Sequence, residues 1–272
     1  MAIITVSRGS FSKGKDVAEK LAKQLGYECI SREILLEASE EFNIPEIKLT
    51  RAIHDAPSTL ERFRYGKERY IAYIRAALLK HVQKDNVVYH GLGGHFFLQG
   101  IPHVFKLRII ADMEYRVKEE MKRENITEEK ALYILTKDDD ERRKWSLQLY
   151  GMDPWDSRLY DMVLHIGNLT VDDAVVIAYF TVKKPCFQTT PASQKILDDK
   201  LLEAKVQAAL VKTAPFAKVA ANGGKVLINN FDDPTIEKKP TLKKIKNIVE
   251  KIEGVKEIHI KNNRQWAIGD GL

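Results

Sequence analysis

Ile3-Ile4-Thr5-Val6-Ser7-Arg8-Gly9-Ser10-Phe11-Ser12-Lys13-Gly14-Lys15-Asp16-Val17 is the stretch on which the reading of this chain turns. Ile3 to Ser7 is a short apolar run of the kind that makes a buried strand. Beyond the loop, Val17, Ala18, Leu21, Ala22 and Leu25 recur at helical spacing until Gly26 ends the pattern. Between strand and helix lies Gly9-x-x-x-x-Gly14-Lys15, the pattern of a phosphate-binding loop, with Asp16 where Ser or Thr is usual. Each part has a physical reason. Glycines let backbone N–H groups close around phosphate oxygens, a helix N-terminus favours an anion, and a lysine reaches the outer phosphates. Gly9, Ser10, Ser12, Lys13, Gly14, Lys15 and Asp16 are therefore the candidate phosphate-binding residues. A hydroxyl at the position of Asp16 would normally sit on Mg²⁺. Asp16 could take that metal itself, directly or through water, or it could repel phosphate. The plain alternative is a glycine turn joining a strand to a helix.

Outward from this stretch, strand and helix signals alternate. A short strand is expected at 28–31, a helix at 33–42, and a long helical pattern at 59–84. Asn86-Val87-Val88-Tyr89-His90 reads as a strand that breaks into Gly91-Leu92-Gly93-Gly94. Strands at 104–111 and 162–166 and helices at 114–123, after Thr127, and at 171–180 complete the set. Such alternation predicts a parallel sheet covered on both faces, an α/β fold of residues 1–183. Lys183-Lys184-Pro185 and Gln188-Thr189-Thr190-Pro191-Ala192-Ser193 read as a linker, placed at 184–194. A second, small α+β unit is expected at 195–262: a helix from 197, two strands around the Asn222-Gly223-Gly224 turn, a helix at 242–252 and a last strand. The tail is 263–272.

Composition narrows the function classes. The chain has 272 residues, 44% hydrophobic and 30% charged, as in ordinary soluble proteins. No apolar run approaches the roughly 18–20 residues of a membrane span. The apolar start lacks a basic leader, so a cytoplasmic location is expected. Cys29 and Cys186 show neither framework nor metal spacing and read as reduced thiols. The net charge of +6 is uneven. Residues 1–192 carry 29 Lys+Arg against 28 Asp+Glu, whereas 193–262 carry 14 Lys, no Arg and 9 Asp+Glu. A lysine-only excess suits diffuse attraction to an anionic surface rather than bidentate capture of one phosphate. Sequence-specific nucleic-acid binding is not expected, because aromatic interleaving and an RNA-binding motif are missing.

The opening, the segment 15–27, Ser31-Arg32-Glu33-Ile34-Leu35, the stretches 110–116 and 138–143, and Tyr160-Asp161-Met162-Val163-Leu164 resemble the cytidylate kinase-like family. That resemblance implies a five-stranded P-loop kinase fold with an arginine-bearing lid, using ATP and Mg²⁺ on a nucleoside monophosphate, with cytidylate the nominal acceptor. It implies Lys15 on the donor phosphates, with Arg116, Arg142 and Arg143 stabilising the transferred group. It implies Arg32 and Arg123 toward the substrate and Asp16 at the metal. Clustered arginines suit a transition state that spreads negative charge over the moving phosphoryl group. Solvated helix charges are the ordinary alternative for Arg116, Arg123, Arg142 and Arg143, and for the acidic run Asp138-Asp139-Asp140. The chain departs from the family at Ser31 and at Leu92, and from the strict loop motif at Asp16, where the family commonly ends its loop in a basic–acidic pair.

The C-terminal unit resembles the BON domain in Asp198, Asp199 and Leu202, in Asn222-Gly223-Gly224-Lys225-Val226-Leu227-Ile228 and in Gly254-Val255-Lys256-Glu257-Ile258. That resemblance implies an anionic lipid or small ligand as its partner. Two functions follow: an enzyme transferring the γ-phosphate of ATP to a nucleoside monophosphate, or a catalytically weak nucleotide-binding domain coupled to a BON-type sensor.

Overall fold

The structure is a computed structural model that describes residues 1–31, 33–43, 66–91, 93–229 and 242–261. Five strands form a parallel sheet: β1 (Ile3–Arg8), β2 (Glu28–Ile30), β3 (Val87–Tyr89), β4 (Val104–Ala111) and β5 (Met162–Ile166). Their order is β2-β3-β1-β4-β5, so β1 lies in the middle with β3 on one side and β4 on the other. Chain direction across the sheet reverses at β1, and the crevice beyond the carboxyl ends of such strands is where ligands of open α/β sheets bind.

The pleat divides the sheet residues between two cores. Ile4, Val6, Val88, Phe105, Leu107 and Ile109 face α1 (Gly14–Leu25). Ile3, Val87, Tyr89 and Val104 face the opposite side, with α2 (Glu33–Phe42) and α3 (Gly66–Val82). The short α4 (Gly94–Phe97) follows β3, and α5 (Met113–Glu124) follows β4. Next come α6 (Glu128–Tyr150), a continuous 23-residue helix capped by Thr127, and α7 (Val171–Val182), capped by a Thr170–Asp173 box and packed on the α1 face. Burial on both faces is why the strands read as apolar runs.

The stretch 184–194 is not a loose link. A 3₁₀ turn at Pro185–Phe187 is followed by α8 (Pro191–Leu210), which starts with a Thr190–Ser193 capping box and a proline in its first turn. Thr, Pro and Ser were read as a chain break, but in this order they also start a helix. Thr189 N–H donates to the Met1 carbonyl at 2.9 Å, and the Gln188 amide donates to the Val182 carbonyl at 2.8 Å.

Residues 218–260 add a three-stranded sheet, β6 (Lys218–Asn222), β7 (Lys225–Asn229) and β8 (Glu257–Ile260), and the helix α9 (Leu242–Val249). β6 and β7 form the expected hairpin, with Gly223 and Gly224 at positive φ in its turn. A Cβ on Gly224 would lie 2.9 Å from the Gly254 carbonyl, so the turn admits only glycine there. α8 belongs to both bodies. Leu197, Leu201, Ala204 and Ala208 join the core with α3, while Leu202, Val206 and Leu210 join the core under the small sheet. Among the described residues no helix is long and apolar enough to cross a membrane.

Candidate active site: a glycine loop beside an arginine cleft

β1 delivers Arg8 to the carboxyl edge of the sheet, and the chain then turns. Gly9 N–H donates to the Ile109 carbonyl at 3.2 Å, and Ser12 Oγ lies 3.0 Å from Gly9 O and 2.9 Å from Ile109 O. Phe11 and Lys13 take left-handed backbone angles, φ 56° and 65°. No side chain caps the start of α1, so its first-turn N–H groups have no intrahelical partner and point outward with the positive end of the helix dipole. This is the geometry of an anion seat. Ser10 is fully buried, and its Oγ has no hydrogen-bond partner among the described residues.

A cavity of about 420 Å³ lies over this loop, lined by Ser12, Lys13, Gly14, Lys15, Asp16 and Arg123 among others. Its two lysines and Arg123 are already matched with acids, whereas Arg8 and Arg142, also in its wall, have none within ion-pair distance among the described residues. Lys13 Nζ is 2.5 Å from Glu119 Oε2, a contact that holds its pKa above the usual lysine value, and 3.9 Å from Asp16 Oδ2. Lys15 is exposed, 3.6 Å from Glu19. Arg123 donates to Glu120 at 2.7 Å and stacks its guanidinium 4.1 Å from the Phe11 ring centroid.

A second cavity of about 350 Å³ opens at the ends of β1, β3 and β4. Arg108 Nη1 donates to Ser7 Oγ and Tyr160 Oη, both at 3.1 Å. Tyr160 Oη donates to the Pro154 carbonyl at 2.8 Å. Arg8 Nη1 donates to His90 Nδ1 at 2.9 Å. Burial, and then the charge of Arg8, hold His90 below the usual histidine pKa, so the ring is neutral and its Nδ1 can accept. His95, buried near Arg108, is pushed down to about 3. Trp145, Trp155 and Tyr89 supply apolar wall. A Cβ on Gly91 would lie 2.2 Å from Tyr89 Oη and one on Gly94 2.5 Å from its ring, so these glycines let the loop press against that tyrosine.

The candidate residues separate on these coordinates. Gly9 and Arg142 line the cleft, while Ser12, Lys13, Gly14, Lys15, Asp16, Arg123 and again Arg142 line the loop cavity. Arg116 lies behind the loop as a brace: its Nε donates to Ser10 O at 2.6 Å and its Nη2 to Asp139 Oδ2 at 2.7 Å. The other oxygen of Asp139 accepts from Ser10 N–H at 3.0 Å. Asp139 is therefore not part of a solvated face; the helix α6 rests on the loop through it. Arg143 lines neither cavity. It donates twice to Asp153, at 2.9 and 2.6 Å, and stacks 4.5 Å from Trp155, fixing the wall of the cleft. Arg32 and Leu92 lie outside the described residues.

Arg8 and Arg108 were not among the residues singled out from the sequence. A signal for Arg108 was present: a charge inside β4, a central strand otherwise apolar at Val104, Phe105, Leu107, Ile109 and Ile110, needs a polar purpose. Arg8 was visible only as the last residue of the quoted strand.

Against known proteins, a family model described as the cytidylate kinase-like family matches residues 3–168. None of the curated proteins compared with the chain matches it. Among solved structures, an uncharacterized protein from Eubacterium ventriosum ATCC 27560 is similar at 22% identity and a TM-score of 0.52, over 68% of this chain and 99% of its own. A shikimate kinase from Bacteroides thetaiotaomicron is aligned at 10% identity and a TM-score of 0.42, over 67% and 99%. A dephospho-CoA kinase from Campylobacter jejuni is aligned at 18% identity and a TM-score of 0.37, over 66% and 97%. The family match spans more than half of the chain and contains both the glycine loop and the arginine cleft, and the chain belongs to the cytidylate kinase-like family.

Proposed function

We propose that the protein transfers the γ-phosphoryl group of ATP to a nucleoside monophosphate, with cytidylate the nominal acceptor. Family membership supports a nucleotide kinase-type function; the acceptor and the residue roles are our reading. One observation carries it: a glycine loop at an uncapped helix N-terminus and an arginine cleft lie side by side, sharing Arg8 and Arg142 in their walls. The loop cavity would take the donor phosphates, with Lys15 swinging from Glu19 to reach them. The cleft would take the acceptor, its phosphate on Arg108 and its base against the aromatic wall. In the transfer, an acceptor phosphate oxygen forms a bond to the γ-phosphorus as the bond to the bridging oxygen breaks, and the electron pair stays on ADP. Most of the catalysis is then positioning and charge stabilisation, which arginines supply.

The donor set fits a magnesium ion. Asp16 is half-exposed in the loop cavity, and Glu120 Oε2, in the same cavity, is buried without a partner among the described residues. Hard carboxylate oxygens, one or two in number and completed by phosphates and water, are what magnesium takes. Once bound, it would neutralise charge on the donor phosphates.

A second reading has its own observation. With Asp139 on the Ser10 N–H and Lys15 on Glu19, the loop is held in a form that does not grip phosphate. This favours a nucleotide-binding domain with weak catalysis, coupled through α8 to residues 195–262 as a BON-like sensor. In that sensor a shallow lysine face formed by Lys243, Lys244, Asn247 and Lys251 would meet an anionic lipid or small ligand. ADP release over a panel of nucleoside monophosphates with ATP and Mg²⁺ separates the two readings. Turnover of one acceptor well above the ATPase background supports the enzyme; ATP binding with no acceptor-dependent turnover supports the sensor. Cytoplasmic location is part of both proposals.

A further inference from the structure

We infer that Arg8 is a phosphoryl-binding residue which, with Arg142, seats the transferred group where the two cavities meet, and that His90 is its positioning residue. The inference rests on the transfer reading above and adds a residue to it.

Arg8 and Arg142 are common to the walls of the loop cavity and the cleft. An anion that passes from one space to the other passes these two guanidiniums. Both are half-buried, and among the described residues neither has a carboxylate within ion-pair distance. Asp139 lines the cleft, but its two oxygens are committed to Ser10 N–H and Arg116. Asp16 and Glu19 attract Arg8, and Asp138 and Asp139 attract Arg142, all from beyond ion-pair distance, while Arg142 repels Arg8. Two like charges drawn together in a partly dry place, with no acid in contact with either, are stabilised by an anion from outside.

The seat is also built. A Cβ on Gly14 would lie 2.6 Å from Arg8 Cβ and 3.0 Å from its Cδ, so the first residue of α1 must be glycine for the stem of Arg8 to lie against the helix start. At the far end Arg8 Nη1 donates to His90 Nδ1. That contact uses one N–H and a neutral partner, leaving the charge and the remaining donors of the fork for a ligand. A carboxylate at position 90 would neutralise Arg8; a neutral imidazole aims it.

The test uses the full chain with Arg8→Gln, Arg8→Lys and His90→Gln, and two readouts. The first is ADP release with the acceptor that the wild type turns over fastest. The second, independent of turnover, is calorimetric binding of inorganic tripolyphosphate, long enough to lie on the loop and reach the seat. Arg8→Gln should lower kcat roughly a hundredfold and weaken ATP and tripolyphosphate alike, roughly tenfold. Arg8→Lys, which keeps charge and bulk and therefore folding, should still lose about tenfold in kcat, because a point charge does not replace a fork. His90→Gln should lower kcat less than Arg8→Gln and leave the KM for ATP alone. Tripolyphosphate binding to folded Arg8→Gln as tight as to wild type overturns the seat, as does an unchanged kcat in Arg8→Lys. If the wild type turns over no acceptor but tripolyphosphate still depends on Arg8, the transfer reading falls and the anion seat stands.

Discussion

The loop cavity and the arginine cleft treat their cations in opposite ways. In the first, Lys13, Lys15 and Arg123 each face a glutamate: Glu119, Glu19 and Glu120. In the second, Arg108, and Arg8 where it borders both spaces, hydrogen-bond only to neutral groups: an imidazole, a serine hydroxyl and a tyrosine hydroxyl. Nearness in space does not explain the difference, because Arg142 borders both. A cation already matched by an acid can change partners when a ligand comes, so its net contribution to binding is small. A buried cation held by neutral groups still carries its desolvation cost, and an incoming anion relieves it. The lysines of the loop should therefore matter less than a glycine-loop motif suggests, and the arginines of the cleft more.

Arg108→Ala is the strongest way to break this contrast. Arg108 is almost fully buried between Ser7 and Tyr160, and a hydrogen bond to a charged group contributes about 1.5–3 kcal/mol. The acceptor kcat/KM should fall roughly a hundredfold while the Kd for ATP stays within about twofold. Steady-state kinetics against each substrate, with calorimetry for ATP, reads both. A loss shared equally by the two substrates would mean that the cavities do not divide donor from acceptor.

Lys15→Ala should have the smaller effect. Lys15 must leave Glu19 to reach a phosphate, and both side chains are exposed, so its contact replaces an existing one and is screened by solvent. Roughly tenfold weaker ATP binding is expected, measured by calorimetry at fixed salt. A change as large as that of Arg108→Ala would show that the pairing with Glu19 contributes nothing before the ligand arrives.

The difference between the cavities also marks what could be read without coordinates. The glycine loop is local: strand, glycines, lysine and helix adjoin in sequence, so its strand–loop–helix setting is as expected. The five-stranded parallel sheet likewise followed from alternating apolar runs. The cleft is assembled from the ends of β1, β3 and β4 and from α6, with about a hundred residues between neighbours such as Ser7 and Arg108. No local pattern announces that. Arg116, and Arg143 next to the cavity-lining Arg142, bind Ser10 and Asp153 instead, because helical periodicity says which face a residue takes but not what packs there. The start of α8 was misread for the reverse reason: its Thr190-Pro191-x-Ser193 cap uses the same residue types as a linker.

The smallest effect concerns His90, the neutral group on which the cleft's charge balance hinges. Burial and then Arg8 lower its pKa; Lys15 acts in the same direction as Arg8, and Glu19 opposes them. A base with a depressed pKa stays neutral in the folded chain where the unfolded chain already binds a proton. Its contribution to stability is therefore complete above about pH 6.5 and is lost as the pH falls from there toward the folded-state pKa. His95, at about 3, and His103, also lowered by burial, act with the same sign. His90→Gln should accordingly flatten, without abolishing, the fall of the unfolding midpoint between about pH 7 and pH 5.5. Turnover should respond as well. Protonation places an N–H against Arg8 Nη1 where an acceptor stood, so wild-type kcat should drop only as the pH falls on toward the lowered folded-state pKa, below this range, and the kcat of His90→Gln, lower at pH 7, should drop less. Thermal melts and kcat at matched ionic strength measure the two slopes. Parallel slopes in wild type and variant would show that the charge state of His90 does not govern the position of Arg8, and the contrast between the cavities would then rest on Arg108 alone.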